Sequence, residues 1–397
     1  MAVFELRSPL TAEERQYKRK LIFRDLIALL SLFVITAALA VATYFLFNSF
    51  SRRRQSLAER WLERGELAMS NGHPQQAVDA YRSALEYDPG RRDTEIKLAM
   101  ALSAASRPEE AISYFNTLLE SEPGNGLINL ELARLAAKQG NQSRAVEYYQ
   151  RALDGRWQGD GYERRRAVRL ELVGYLIDRK DYPKARTQLL VAAGNAPDDP
   201  KVKLKIARLM EDAQDPADAL EIYRNIAERK PYPIEALEGA GRVAFALGHF
   251  QLALTYLEKV LTHPDFGSQP KSVQTSNREL LATTSQVLGL FPGTDLPAKE
   301  RATRVMHAAE VAKGRLEACS MNTHAAPASL ADLAAKWQQV PSKLTPLALA
   351  RDPQMEQTIM NLVFDTEKQT VTACGTPGGE DVLLLKLAQS PLGVEPQ

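Results

Sequence analysis

The sequence predicts an all-α chain: one membrane-crossing helix near the N-terminus, a stack of helical hairpins, and a helical C-terminal cap. Three observations carry this. An uncharged apolar run occupies residues 26–47. Helix-spaced apolar stripes recur every 34 residues from about 58 to 265. Beyond 265 the helical spacing continues without that period. The expected division is a tail at 1–25, the span at 26–47, a basic linker at 48–57, six repeats at 58–265 and the cap at 266–397. Ala and Leu dominate and aromatics are only 7%, which favours helices packed on small residues over sheets. Lys and Arg (50) nearly cancel Asp and Glu (49), so bulk charge gives no case for nucleic acid.

The span reads LIALLSLFVITAALAVATYFLF. Its 22 residues make a helix of roughly 33 Å, about one hydrocarbon core. Thirteen of them are Leu, Ile, Phe or Val, and Tyr44 sits near the outgoing end, where an aromatic prefers the interface. The other reading is a secretory signal cleaved near Ala38-Leu39-Ala40. Against it, the apolar run continues to Phe47 and the charged leader of 25 residues is long for a signal. Flanking charge is nearly balanced. Arg7, Arg15, Lys18, Arg19, Lys20 and Arg24 precede the span, while Arg52, Arg53, Arg54, Arg60 and Arg64 follow it. A short tail before a single span most often stays inside. The expectation is a single-pass protein of a bacterial inner membrane with its body leaning to the periplasmic side.

Ala77, Tyr81, Ala84 and Pro89 open the repeat: the first three share one helical face and the proline stops the helix. The same places hold Ala111, Phe115, Leu118 and Pro123, then Ala145, Tyr149, Ala152 and Trp157. After an insertion of six they hold Ala185, Leu189, Ala192 and Pro197, then Ala219, Tyr223, Ile226 and Pro231, then Ala253, Leu257 and Val260. An upstream helix accompanies each window, with Gly65, Ala99, Ala133, Val173, Ala207 and Gly241 at matching places. Asn71-Gly72 and Gly140-Asn141 mark turns within two of these units. The insertion, DGRWQGDGYERR (154–165), is Gly-rich and charged; it reads as a solvated loop, or as a partner contact through Trp157 and Tyr162.

This period and its alternation of large and small positions resemble the tetratricopeptide repeat over residues 58–265. The resemblance implies a right-handed solenoid of helical hairpins that binds proteins in a groove lined by the first helix of each pair. Carried onto this sequence, the groove positions give an aliphatic row, Leu62, Ile96, Leu130, Leu170 and Leu204, ending at Glu238. Beside it runs a partly basic row, Glu66, Met100, Gly174 and the arginines Arg134, Arg208 and Arg242. A third row runs from Met69 to Phe245 through Ser103, Ala137, Ile177 and Glu211. An amphipathic helix or extended segment carrying acids would suit such a surface. The bland alternative is partly buried leucines and ordinary solvated arginines. The family's chaperone-binding type grips a C-terminal carboxylate with Lys and Asn. The matching places here hold mainly Leu, Ile, Arg and Met, so that ligand is not expected.

In the last third, helices are expected over 272–290, 297–320 and 329–339, the last with Ser329 as N-cap. A stripe of Met355, Ile359, Val363, Thr366 and Thr370 follows. It reads as a helix from Asp352 to about Cys374, with a β-hairpin over 361–373 as the alternative. A short buried helix is expected over 378–388. Cys319 and Cys374 are the only cysteines. They are candidates for a disulfide in an oxidising compartment, or for two buried thiols.

No cofactor or metal is expected. The histidines at 73, 249, 263, 307 and 324 fall in turns or on mixed faces, and no catalytic or phosphate-binding motif appears. Some membrane-anchored repeat proteins end in a four-cysteine metal module, and this chain departs from them there. The expectation is a non-enzymatic scaffold or assembly factor that recruits membrane or envelope proteins. The alternative is a fixed structural subunit of a larger membrane complex.

Overall fold

A computed structural model describes residues 12–322 and 328–390; Arg7 and His324, named above, lie outside them. The described residues are helical apart from turns and one isolated β-bridge, Asn125 to Arg156. Two compact units divide the chain, Met1–Val168 and Arg169–Gln397.

Unit 1 opens with α1, Ala12–Ser70, a single helix of 59 residues. The basic stretch 48–57 is therefore no linker. No Gly or Pro interrupts 12–64, so nothing in the sequence breaks the helix there. Arg54 Nε donates to the carbonyl of Tyr87 at 3.1 Å, and Ala58 is buried, so packing on the next helices begins inside that stretch. The side chains of 26–47 lie almost wholly exposed, and α1 is the one helix among the described residues long and apolar enough to cross a membrane.

After α1 come α2 (Pro74–Tyr87), α3 (Arg92–Ala104), α4 (Pro108–Ser121), α5 (Gly126–Lys138) and α6 (Gln142–Asp154), then α7 (Gly161–Asp178). In unit 2 follow α8 (Tyr182–Gly194), α9 (Pro200–Asp212), α10 (Pro216–Ala227), α11 (Ile234–Ala246) and α12 (Phe250–Leu261). Every stripe residue from Ala77 to Val260 is buried. The reason is close approach of the paired backbones. A Cβ built on Gly65 would lie 2.3 Å from the Tyr81 ring, and one on Gly241 would lie 2.9 Å from Leu257.

The turn inside each pair is also periodic. Gly72, Ser106, Gly140, Lys180, Gln214 and Gly248 all take positive φ, between 59° and 78°. The next residue's N–H then reaches back five residues, as His73 does to Ala68 and Asp215 to Met210, both at 2.8 Å. This is the hydrogen bond that closes a helix C-terminus with a left-handed residue.

The cap follows a 3-10 turn, Pro264–Ser268. It comprises α13 (Lys271–Leu290), α14 (Ala298–Asn322), α15 (Ala328–Gln338), α16 (Pro346–Leu349), α17 (Pro353–Cys374) and α18 (Glu380–Gln389). Residues 361–373 are helical, which removes the hairpin alternative. Their β-branched side chains still suit a helix because Val363, Thr366 and Thr370 all face the core, where the two hydroxyls bond back to the helix's own carbonyls. Ser329 is no N-cap, because α15 already begins at Ala328. The cap core takes in Phe250 of α12 together with Val287, Val305, Ile359, Val363 and Leu384. Cys319 and Cys374 are joined as a disulfide, with Cα atoms 5.8 Å apart.

One group in this core resists ionisation. Glu367 of α17 is fully buried, and neither of its oxygens accepts a hydrogen bond from a donor among the described residues. Burial first, then the facing carboxyl of Asp381 on α18, push it from 4.5 to about 8, against the opposing pull of Arg315 on α14. An acid raised in the folded state binds its proton there but not in the unfolded chain. Its contribution is complete below the unfolded value and is lost as pH rises through about 8. Thermal unfolding of full-length protein in detergent should show stability falling between pH 5 and 8, and Glu367→Gln should flatten that slope. Equal slopes in both proteins would contradict the assignment.

Candidate partner-binding groove

Unit 1 brings several first-helix residues to one cavity of about 440 Å³. α3 supplies Ile96, Lys97 and Met100, and Leu127 comes from the start of α5. The opposite wall is Arg156, Trp157 and Gln158 of the insertion, with Arg164 from α7.

The insertion is held in place and is not simply a solvated loop. Arg156 N–H donates to Gly124 O at 2.7 Å, and Gly126 N–H donates back to Arg156 O at 2.9 Å. Trp157 Nε1 caps the carbonyl of Ala152 at 2.9 Å, and Arg165 bonds the carbonyls of Leu153 and Gly155 at 3.0 and 2.9 Å. The indole lies flush on Gly126, where a Cβ would come within 2.4 Å of the ring. Tyr162, by contrast, is 85% exposed.

Of the predicted groove residues in unit 1, Ile96 and Met100 line this cavity. Leu62 is half-buried and packs on the unit's core. Leu130 is buried, and so is most of Ile96, which makes them floor and not free surface. Arg134 Nη1 donates to Glu131 Oε1 at 2.8 Å, so its charge is answered within α5. Lys97 is paired with Glu66 of α1.

In unit 2 the expected open row is largely occupied. Leu204 is buried and Leu170 half-buried. Arg242 pairs with Glu211, its Nη2 donating to Oε1 at 2.9 Å, and Tyr223 donates to the same oxygen at 2.7 Å. Burial and this bond to Glu211 push the Tyr223 phenol above its ordinary range, and the Glu211 bond holds Arg242 more firmly charged. Phe245 is covered from the cap side: its ring meets Phe250 edge-on at 5.4 Å and Lys386 of α18 lies 5.2 Å from its centre. Glu238 accepts from Asn277 of α13 at 2.7 Å. Arg208 alone of the three predicted arginines is exposed with no ion pair among the described residues.

Sequence reasoning therefore missed Leu127, Arg156 and Arg164. The available signal was an extra glycine pair, Gly124 and Gly126, at the entry to α5, the first helix of the window in which Trp157 stands where most others have a proline. Among the described residues no three His, Cys, Asp or Glu side chains converge as a metal site requires.

Sequence profiles of the tetratricopeptide repeat match residues 68–120, 96–161 and 204–270. The chain carries tetratricopeptide repeats. No curated protein matches this sequence. Among solved structures, the chain is similar to PilF of Pseudomonas aeruginosa, at 20% identity over 57% of this chain and 99% of that one, with a TM-score of 0.37. It is also similar to PilW, a type IV pilus biogenesis factor, at 19% identity over 57% and 97% with a TM-score of 0.36. MamA matches at 16% identity over 47% and 94% with a TM-score of 0.34.

The seating of Trp157 on Gly126 gives a direct test. Gly126→Ala should displace the indole, shift its emission to longer wavelength in a Trp61→Phe, Trp337→Phe background, and cost about 1 to 3 kcal/mol through overpacking. An unchanged spectrum would show that the insertion is not held there.

Proposed function

We propose that this chain is a membrane-anchored protein-interaction scaffold. In this reading residues 26–47 cross the inner membrane once, and the unit 1 groove holds a segment of a partner protein on the periplasmic side. The observation that supports it best is the cavity of unit 1, whose floor is the mostly buried Ile96 with the half-buried Met100 and Leu127 and whose facing wall is the insertion. The continuous α1 supports the anchor: an exposed apolar stretch runs without a break into the first helix pair. A helix mount of this kind holds the groove at a set distance from the bilayer, where a flexible linker would not. The Cys319–Cys374 bridge suits an oxidising compartment. A tetratricopeptide groove binds by burying side chains of an extended or helical segment, so no reacting group is required of it.

The test is affinity purification of tagged full-length protein from its own membranes in mild detergent, read by mass spectrometry. Met100→Glu places a charge in the groove and should remove a defined set of proteins, while Leu190→Ser on an exposed face of α8 keeps them. The melting profile of each variant is compared with the parent, so that loss of partners is separated from loss of fold. Retention of every partner by a folded Met100→Glu protein would refute the groove as the binding surface.

A further inference from the structure

The insertion changes what the unit 1 groove can recognise. Its three arginines divide by use. Arg165 is consumed in holding the insertion to the end of α6, through two carbonyls. Arg156 and Arg164 are exposed, line the cavity, and have no carboxylate partner among the described residues. Arg156 projects from backbone fixed on both sides by the Gly124 and Gly126 bonds. The Arg164 guanidinium lies 6.0 Å from the centre of the Trp157 ring. Lys97 is already answered by Glu66. The wall's one acid, Asp93, sits in the first turn of α3, where the helix N-terminus favours its charge. The mouth of an apolar cavity thus presents two guanidinium groups free to take carboxylates, which their planar donor pairs match well.

We infer that the insertion makes this groove a receptor for an extended partner segment in which a large apolar side chain fills the cavity and flanking Asp or Glu side chains meet Arg156 and Arg164. The inference rests on the groove reading above and adds to it the chemistry of the partner. It differs from recognition of a chain terminus, because both arginines belong to the wall that faces Ile96 and Met100 and take side-chain carboxylates of the residues next to the inserted one.

The test uses full-length protein in detergent and two fluorescent pools of acetylated, amidated pentapeptides. One carries Leu, Ile, Met or Phe between Glu residues, and the other replaces Glu by Gln. The acidic pool should bind about tenfold more tightly than the neutral one. Arg156→Ala with Arg164→Ala should abolish the difference, and Arg208→Ala should preserve it. Added salt should weaken only the acidic pool. Equal binding of both pools, lost on Met100→Glu, would leave the groove reading standing and overturn this one. Binding of neither pool would overturn it, as would acidic binding that survives the double arginine change. Competition by phosphatidylglycerol vesicles with no peptide discrimination would mark the arginines as lipid contacts and overturn it as well.

Discussion

Everything in the repeat region depends on two helix backbones coming close enough for a large side chain of one to lie on a small residue of the other. Tyr81 on Gly65 is the tightest instance, and Leu257 on Gly241 is a second. The contact does two things. It buries the second-helix stripe, and it leaves each first helix with one face that its own partner cannot cover. A face of that kind must meet the next pair, a cap or a ligand. In unit 2 the cap meets it: Phe250 enters the cap core, Lys386 covers Phe245, and Asn277 bonds Glu238. In unit 1 the insertion stands over it, and a cavity remains above the mostly buried Ile96 and the half-buried Met100. The same packing rule thus produces a closed face in one unit and a cavity in the other.

Charge within the repeats follows from that packing. First-helix carboxylates and guanidinium groups stand close enough to pair across neighbouring helices or one turn apart, as Glu211 with Arg242 and Glu131 with Arg134. Such pairs are partly exposed and contribute little to stability. Their consequence is for recognition, because a paired arginine offers a ligand less than its sequence position suggests. The guanidinium groups that line the unit 1 cavity come from the insertion and the start of α7, outside the repeat register.

This division explains what was legible in the sequence. The 34-residue stripe and the small positions facing it are set by local sterics, so Ala77 through Val260 could be placed as core from spacing alone. The cap helices over 272–290 and 353–374 were legible for the same reason. The turn conformation was legible only where glycine marks it. Ser106, Lys180 and Gln214 adopt the same left-handed geometry because the 34-residue register and the five-back hydrogen bond demand it. Which groove positions stay open was not legible. Arg134 and Arg242 could be assigned to the groove, but their neutralisation needs the partner's rotamer. Trp157 takes the periodic place that a proline holds in most other windows, and Arg156 lies beside it off the stripe; the indole's seat exists only because Gly126, 31 residues earlier, lacks a side chain.

The central claim is that partners are held in the unit 1 groove. It is tested most directly by photo-crosslinking in native membranes, with benzoylphenylalanine replacing Met100 in one protein and Glu147, exposed on α6, in another. The account predicts a discrete crosslinked protein from position 100 and none from 147. Crosslinks from 147 alone, or identical products from both positions, would contradict it.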